Sequence, residues 1–268
     1  MYLADYHVHS SCSPDGSESM LQLACSAVEK GLQELCFTDH VDTRDWGSGA
    51  FREHDWNPAI QQFQQAQEVL GDRIRLQLGA ELGEVTQNIP LMERFLSAAP
   101  PLDFAIGSVH TADAAHQWKD LYYLDSRNPA ENRQIIAGYL GEVKKLACWG
   151  RFQVLGHLTL PLRYMNENLG LQMSFDGFED ALEEIFRIII PQGIGMELNT
   201  NRGNAPLPGV KILRQYRELG GEVITLGSDA HSSAWVGCAI AQRQQLLREC
   251  GFRYFCTFTG GKPEFHSL

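Results

Sequence analysis

Asp5, His7 and His9 alternate with Tyr6 and Val8 near the start of the chain. Side chains of an extended strand alternate faces, so the three polar residues share one side while Tyr6 and Val8 turn toward core packing on the other. Two imidazoles at i and i+2, with Asp15 following at a Ser/Pro/Gly turn, can present nitrogen and oxygen ligands to a metal. Surface histidines on an edge strand would look the same from this stretch alone.

The same chemistry recurs down the chain. His40, Glu81, His110, His157, Asp229 and His231 each stand where a short β-rich run gives way to a loop. Six of the nine histidines occupy such positions, and the other three, His54, His116 and His266, read as solvent-exposed residues of loops or the tail. Between the strand-like runs lie amphipathic stretches at residues 19–30, 58–70, 90–98, 129–146, 178–190, 210–219 and 235–250. Residues 41–56 and 111–128 read as long loops, and an aromatic run from Phe252 to Phe258 closes the chain.

Seven strand-then-helix units without a low-complexity linker predict one α/β domain over residues 1–268, a closed parallel barrel one unit short of eight. A doubly wound open sheet is the alternative, but no GxGxxG or GxxxxGK[ST] turn supports it. In a parallel barrel the C-terminal strand ends share one face, so the scattered ligands converge. Burying six histidines with three carboxylates at one barrel mouth, and nothing to neutralise them, would be costly. Nine mixed ligands exceed one tetrahedral ion and suit two or three divalent ions bridged by a carboxylate.

The formal charge of −11 argues against a general nucleic-acid or membrane-surface binder, which needs a basic footprint. An anionic substrate would then need local positive charge from metal ions or a few arginines. The seven cysteines are scattered and form no CxxC pair, which reads as thiols in a reducing compartment. No basic-then-apolar leader opens the sequence and its longest apolar stretch, near residues 185–190, is too short for a span, so a cytoplasmic protein is expected.

As a set, His7-x-His9, Thr38-Asp39-His40, Gly79-Ala80-Glu81, Ser108-Val109-His110, Gly156-His157 and Ser228-Asp229-Ala230-His231 resemble the motifs of the polymerase-and-histidinol-phosphatase (PHP) superfamily. The length, the Glu197-Leu198-Asn199-Thr200-Asn201-Arg202 segment and the aromatic run before Gly261-Lys262-Pro263 look most like its histidinol-phosphate phosphatases. The resemblance implies a distorted (β/α)7 TIM-like barrel with a trinuclear site of zinc, iron or manganese. It implies one metal at His7, His9, Glu81 and Asp229, a second sharing Glu81 with His110 and His157, and a third at Asp15, His40 and His231.

The expected activity is a metal-dependent phosphomonoesterase acting on a small substrate, L-histidinol phosphate, by attack of metal-activated hydroxide on phosphorus. Arg163 and Arg202 are the candidates to grip the phosphate, and Asp229 and His231 to move a proton to the leaving oxygen. Alternatives are a PHP phosphoesterase for nucleotides or nucleic acid, or a non-catalytic PHP module. Oligomeric state is left open. The chain departs from the related pattern Gly-His-x-Asp at Thr159, which leaves His157 in want of another acceptor to orient it. Trp46, Trp56 and Trp118 are candidates to stack on a substrate ring, Asp42 or Asp45 to meet an ammonium, and Asp5 to orient an imidazole; Tyr6 is expected in the core.

Overall fold

A computed structural model describes residues 1–45 and 48–268. Among these residues eight parallel strands form the main sheet: β1 (Ala4–Asp5), β2 (Glu34–Phe37), β3 (His40–Asp42), β4 (Arg75–Gly83), β5 (Phe104–Ser108), β6 (Val154–Leu155), β7 (Gly195–Asn199) and β8 (Ile224–Gly227). The order is β1-β2-β4-β5-β6-β7-β8, with β3 continuing the line of β2 alongside β4. Tyr6 N donates to Leu226 O at 2.9 Å, Val8 bridges Ala230 in parallel, and His9 N donates to Ala230 O at 2.8 Å. The opening segment therefore lies between β2 and β8, and the sheet comes round on itself. This is the expected (β/α)7 barrel, its first strand reduced to a short ladder and a separate bridge.

Among the described residues seven helices cover it: α1 (Met20–Glu29), α2 (Asn57–Leu70), α3 (Ile89–Ser97), α4 (Pro129–Trp149), α5 (Glu179–Ile189), α6 (Val210–Glu218) and α7 (Ile240–Glu249). Their ends follow local chemistry. Ser19 and Gln22 form a capping box at the start of α1, while Asn128 caps α4 ahead of Pro129 and Gly150, in the left-handed region, ends it. Strand residues such as Leu35, Leu82, Ile106 and Leu198 are fully buried, as a parallel sheet covered by helices requires.

Three expectations are corrected. The loop at residues 41–56 begins with β3, a strand too short to show a period and held by pairing to β4. The helix expected from Trp235 starts only at Ile240, because the carbonyls of Ser233, Ala234 and Val236 accept from Lys30 Nζ instead. The aromatic tail is a hairpin of β9 (Tyr254–Thr259) and β10 (Lys262–Ser267), which places His266 in a strand, stacked on Tyr2 at 4.1 Å. The hairpin closes the N-terminal end of the barrel: Arg75, at the start of β4, pairs with Glu264, and Gly260 N donates to Asp103 just before β5. Tyr6 is core as expected, its hydroxyl donating to Glu34 at 2.5 Å and accepting from Phe258 N at 2.8 Å. The opposite, C-terminal end is open and carries the polar strand ends. Among the described residues no helix is long and apolar enough to cross a membrane.

Candidate metal centre

Glu81, near the end of β4 and 1% exposed, is the hub of the open end. Its Oε2 lies 3.3 Å from His7 Nε2, 3.5 Å from His9 Nε2 and 3.2 Å from His40 Nδ1. Its Oε1 lies 3.3 Å from His110 Nε2 and 2.9 Å from His157 Nε2, and accepts from Ser108 Oγ at 2.6 Å. Asp229 Oδ1 stands 3.8, 3.4 and 3.7 Å from His7 Nε2, His9 Nε2 and His231 Nδ1. Asp15 reaches His231 Nε2 at 2.7 Å and His40 Nε2 at 3.9 Å. All nine residues singled out from the sequence as ligands thus meet at one barrel mouth, though they come from six separate strand ends and one loop.

Donor atoms of His7, His9 and Asp229 lie within 4.8 Å of one another, as do those of His7, Glu81 and His157, and of His9, His40 and His231. Among the described residues the buried Nε2 atoms of His7 and His9 have no hydrogen-bond partner. Buried polar atoms are rarely left so, and imidazole nitrogens aimed at two carboxylates fit divalent cations between them. The mixture of nitrogen and carboxylate donors suits zinc, iron or manganese.

The carboxylates are charged, and the imidazoles divide. Burial works against a charged Glu81, but His7, His40 and His110 outweigh it and hold the carboxyl well below its usual range. Burial likewise opposes charge on Asp229, and Arg163 and His7 overcome it, so Asp229 stays anionic. Burial, with a push from His231, lowers His9, and burial lowers His40, whereas on His7, His110 and His231 burial is outweighed by Glu197, Glu81 and Asp15 respectively, and those three rings are raised. Divalent cations among the carboxylates would take the place of the protons on His7, His110 and His231, since neutral imidazoles and ionised carboxylates are the forms that donate electron pairs to a metal.

Local folding aims these groups. The end of β8 turns sharply, with Asp229 at φ 57°. A Cβ at Gly227 would overlap Glu197 Oε1 and the His7 Cβ, so glycine is what lets the two side chains meet there. Asp39 accepts from Ser10 N and from Ser13 Oγ, both at 2.7 Å, and Ser13 Oγ in turn lies 3.2 Å from His9 Nδ1.

Above these side chains opens a cavity of about 590 Å³, lined in part by Arg163, Arg202, Tyr122, Tyr123 and Tyr164. Arg163 donates to Asp229 Oδ2 at 2.8 Å, Asn201 Oδ1 at 2.9 Å and Asn199 Oδ1 at 3.1 Å, so three of its five N–H bonds are engaged. Arg202 reaches the cavity from a left-handed residue, φ 52°, its guanidinium carbon 6.0 Å from the Trp235 ring centre.

Other expectations shift. Asp5 orients no imidazole: it accepts from Ser228 N at 2.8 Å, Ser228 Oγ at 2.5 Å and Gly237 N at 2.7 Å, tying the β8 turn to β1. Asp42 is buried, 3.7 Å from His40 Nδ1, and Asp45 bonds Ser48, so neither lines the cavity. Trp56 is buried, its Nε1 donating to Phe95 O at 3.1 Å; Trp118 is absent from the cavity lining, and Trp46 lies outside the described residues. His54 packs edge-on against Trp56 at 4.6 Å instead of standing free in solvent. Among the described residues His157 Nδ1 and Thr159 Oγ1 are both buried without a hydrogen-bond partner, so Thr159 does not orient that ring.

The residue missed outright is Glu197. Its Oε1 accepts from His7 Nδ1 at 2.6 Å and its Oε2 from His157 N at 2.7 Å. Its place in β7, two residues from Asn199 on the same face, was a usable signal.

Comparison with known proteins gives the family. The chain is 28% identical over 262 residues to a histidinol-phosphatase of Lactococcus lactis, covering 96% of this chain and 95% of the relative. A probable histidinol-phosphatase of Thermotoga maritima is 25% identical, with 94% of each chain covered. The crystal structure of histidinol phosphate phosphatase from Lactococcus lactis, complexed with zinc, L-histidinol and phosphate, superposes with a TM-score of 0.79 at 26% identity over 98% of each chain. A putative histidinol phosphatase from Listeria monocytogenes, 16% identical, shares the fold with a TM-score of 0.74 over 89% of this chain and 99% of that one. The PHP domain profile matches residues 5–201, which hold most of the barrel and seven of the nine clustered side chains, and the chain belongs to the PHP domain family.

Proposed function

We propose that this chain is a metal-dependent histidinol-phosphatase, which hydrolyses L-histidinol phosphate to L-histidinol and phosphate in histidine biosynthesis. The observation that carries the reading is the arrangement of five histidines around the Glu81 carboxylate, beneath a cavity that two arginines line. A relative of the same fold, matched over nearly the whole chain, binds zinc, L-histidinol and phosphate.

His7, His9, Glu81 and Asp229 would hold one ion, Glu81 with His110 and His157 a second, and Asp15, His40 and His231 a third. Divalent ions there supply Lewis acidity, which activates water and offsets the charge of the phosphate. Arg202, and the two N–H bonds of Arg163 left over from Asp229, Asn199 and Asn201, bind phosphate oxygens from the cavity side. Where the third ion is absent, His231, one-quarter exposed at the cavity, would hand the Nε2 proton it shares with Asp15 to the leaving alkoxide, and Asp229 keeps that ring oriented through its carbonyl at 2.9 Å from Nδ1. Residues 1–268 work as a single cytoplasmic metallohydrolase domain, and the net charge of −11 disfavours long nucleic acid as substrate.

The test is a phosphate-release panel on protein of known metal content, with L-histidinol phosphate, nucleoside monophosphates and a short oligonucleotide. Preference for L-histidinol phosphate supports the reading. Preference for a nucleotide or the oligonucleotide overturns the substrate, and metal-free protein with no turnover on metal addition overturns the enzyme.

A further inference from the structure

The outer half of the cavity carries groups that phosphate binding does not use. Tyr122 and Tyr123 line it while 62% and 63% exposed. Tyr122 meets Tyr123 edge-on at 5.1 Å and Tyr164 at 5.8 Å, making an aromatic wall open on one side. Asp120 lies beside them in the same lining. Its Oδ1 accepts from Tyr122 N at 2.8 Å, whereas Oδ2 has no hydrogen-bond partner among the described residues. The backbone fixes its depth: Asp120 bridges Thr111, and Leu121 N donates to His110 O at 2.9 Å. The carboxylate therefore stands next to His110 of the metal centre, and the tyrosines follow it along the chain toward the mouth.

The other acid of this lining that lies outside the ligand cluster is Glu167, which already accepts from Asn201 Nδ2 at 2.5 Å and Asn204 Nδ2 at 3.0 Å. It holds the loop after β7 and has little left for a ligand. Asp120 is the carboxylate with a free oxygen.

We infer that Asp120 receives the ammonium group, and Tyr122, Tyr123 and Tyr164 the aromatic ring, of a phosphomonoester whose amine sits next to the ester carbon. The inference rests on the histidinol-phosphatase reading and names the residues that select its organic half. In L-histidinol phosphate the ammonium is borne by the carbon adjoining the ester CH2, and the imidazole lies one methylene farther from phosphorus. With phosphate at the metal centre, ammonium and ring project outward in the order in which Asp120 and the tyrosines stand. A carboxylate makes its strongest hydrogen bonds to a charged donor, and tyrosine faces and edges suit a flat, partly cationic ring.

Three substrates separate these contributions: L-histidinol phosphate, its analogue lacking the amine, and 2-aminoethyl phosphate, which lacks the ring. Steady-state kcat/KM is measured for the wild type, Asp120→Asn and the Tyr122→Leu/Tyr123→Leu double variant. Asp120→Asn is expected to lower kcat/KM for L-histidinol phosphate about tenfold relative to the amine-free analogue. The double variant is expected to lower it about tenfold relative to 2-aminoethyl phosphate. Equal losses on the paired substrates, in a wild type that prefers L-histidinol phosphate, overturn this inference and leave the substrate reading standing. A wild type that cleaves none of the three overturns both.

Discussion

Glu197 Oε1 and His7 Nδ1 lie 2.6 Å apart, both side chains almost wholly buried. The contact places the His7 proton on Nδ1 and leaves Nε2 to face Glu81 and Asp229. The same carboxylate takes His157 N with its other oxygen, at 2.7 Å, so one side chain fixes two members of the cluster. Groups that orient metal-bound imidazoles in this way govern how tightly the metal is held.

Glu197→Gln is therefore expected to weaken metal binding by roughly 10–100-fold, with activity regained as the metal concentration is raised. Competition against a chelator of known affinity gives the number. Metal binding equal to that of the wild type would show that Glu197 serves only to fill β7.

Arg163 ties the cavity to the ligand cluster, since Asp229 Oδ1 faces the histidines while Oδ2 accepts from Arg163 at 2.8 Å. A lysine keeps the charge but cannot span Asp229, Asn199 and Asn201 at once. Arg163→Lys is expected to lower kcat/KM by about 10²-fold, and Arg163→Met by more, because the methionine also leaves Asp229 without a cationic partner. Turnover within about twofold of the wild type in both variants would remove Arg163 from the reaction.

What the sequence made legible was the polar cluster, because every member but Asp15 stands where a β-rich run ends and a parallel barrel gathers such ends by topology alone. His40, Glu81, His110, His157 and Asp229 needed no contact information to be grouped. Groups that act through pairing across the sheet were hidden. Glu197 meets His7 over 190 residues of sequence, and nothing near Glu197 announces that partner. Asp42 read as a loop acid because β3 is three residues long and is defined only by its pairing with β4. Asp5 was placed on the right face, but its acceptors are filled by Ser228 and Gly237, residues that spacing cannot connect to it.

Metal removal should destabilise the fold as well as silence it. A ligand present at a thousand times its Kd stabilises the native state by about 4 kcal/mol. For a chain of this size that is on the order of ten degrees in Tm. Calorimetry before and after dialysis against a chelator should show the fall, and readdition of zinc or manganese should reverse it. An unchanged Tm, with the metal shown by elemental analysis to be gone, would mean that the buried histidines need no cation to remain packed.

His54 offers a pH test well away from the metal centre. It packs edge-on against Trp56 at 4.6 Å and lies 5.9 Å from the Phe95 ring. Burial first, and then repulsion from Arg52, pull its pKa from 6.5 to about 4, with Asp55 opposing weakly. In the unfolded chain the ring takes up a proton near pH 6.5; in the fold it does so only near pH 4. Between those values the unfolded state binds more protons, so His54 lowers stability as the pH falls through that window and adds no further loss below it. The size is roughly 1–3 kcal/mol. His54→Phe keeps the aromatic packing and removes the titration. The stability difference between wild type and variant, from urea unfolding of metal-free protein at pH 7 and pH 4.5, should widen in favour of phenylalanine at the lower pH. Protonation of the histidine cluster is common to both proteins and cancels in that difference, so a gap that stays constant with pH would show that the His54 ring titrates as freely in the fold as in the unfolded chain.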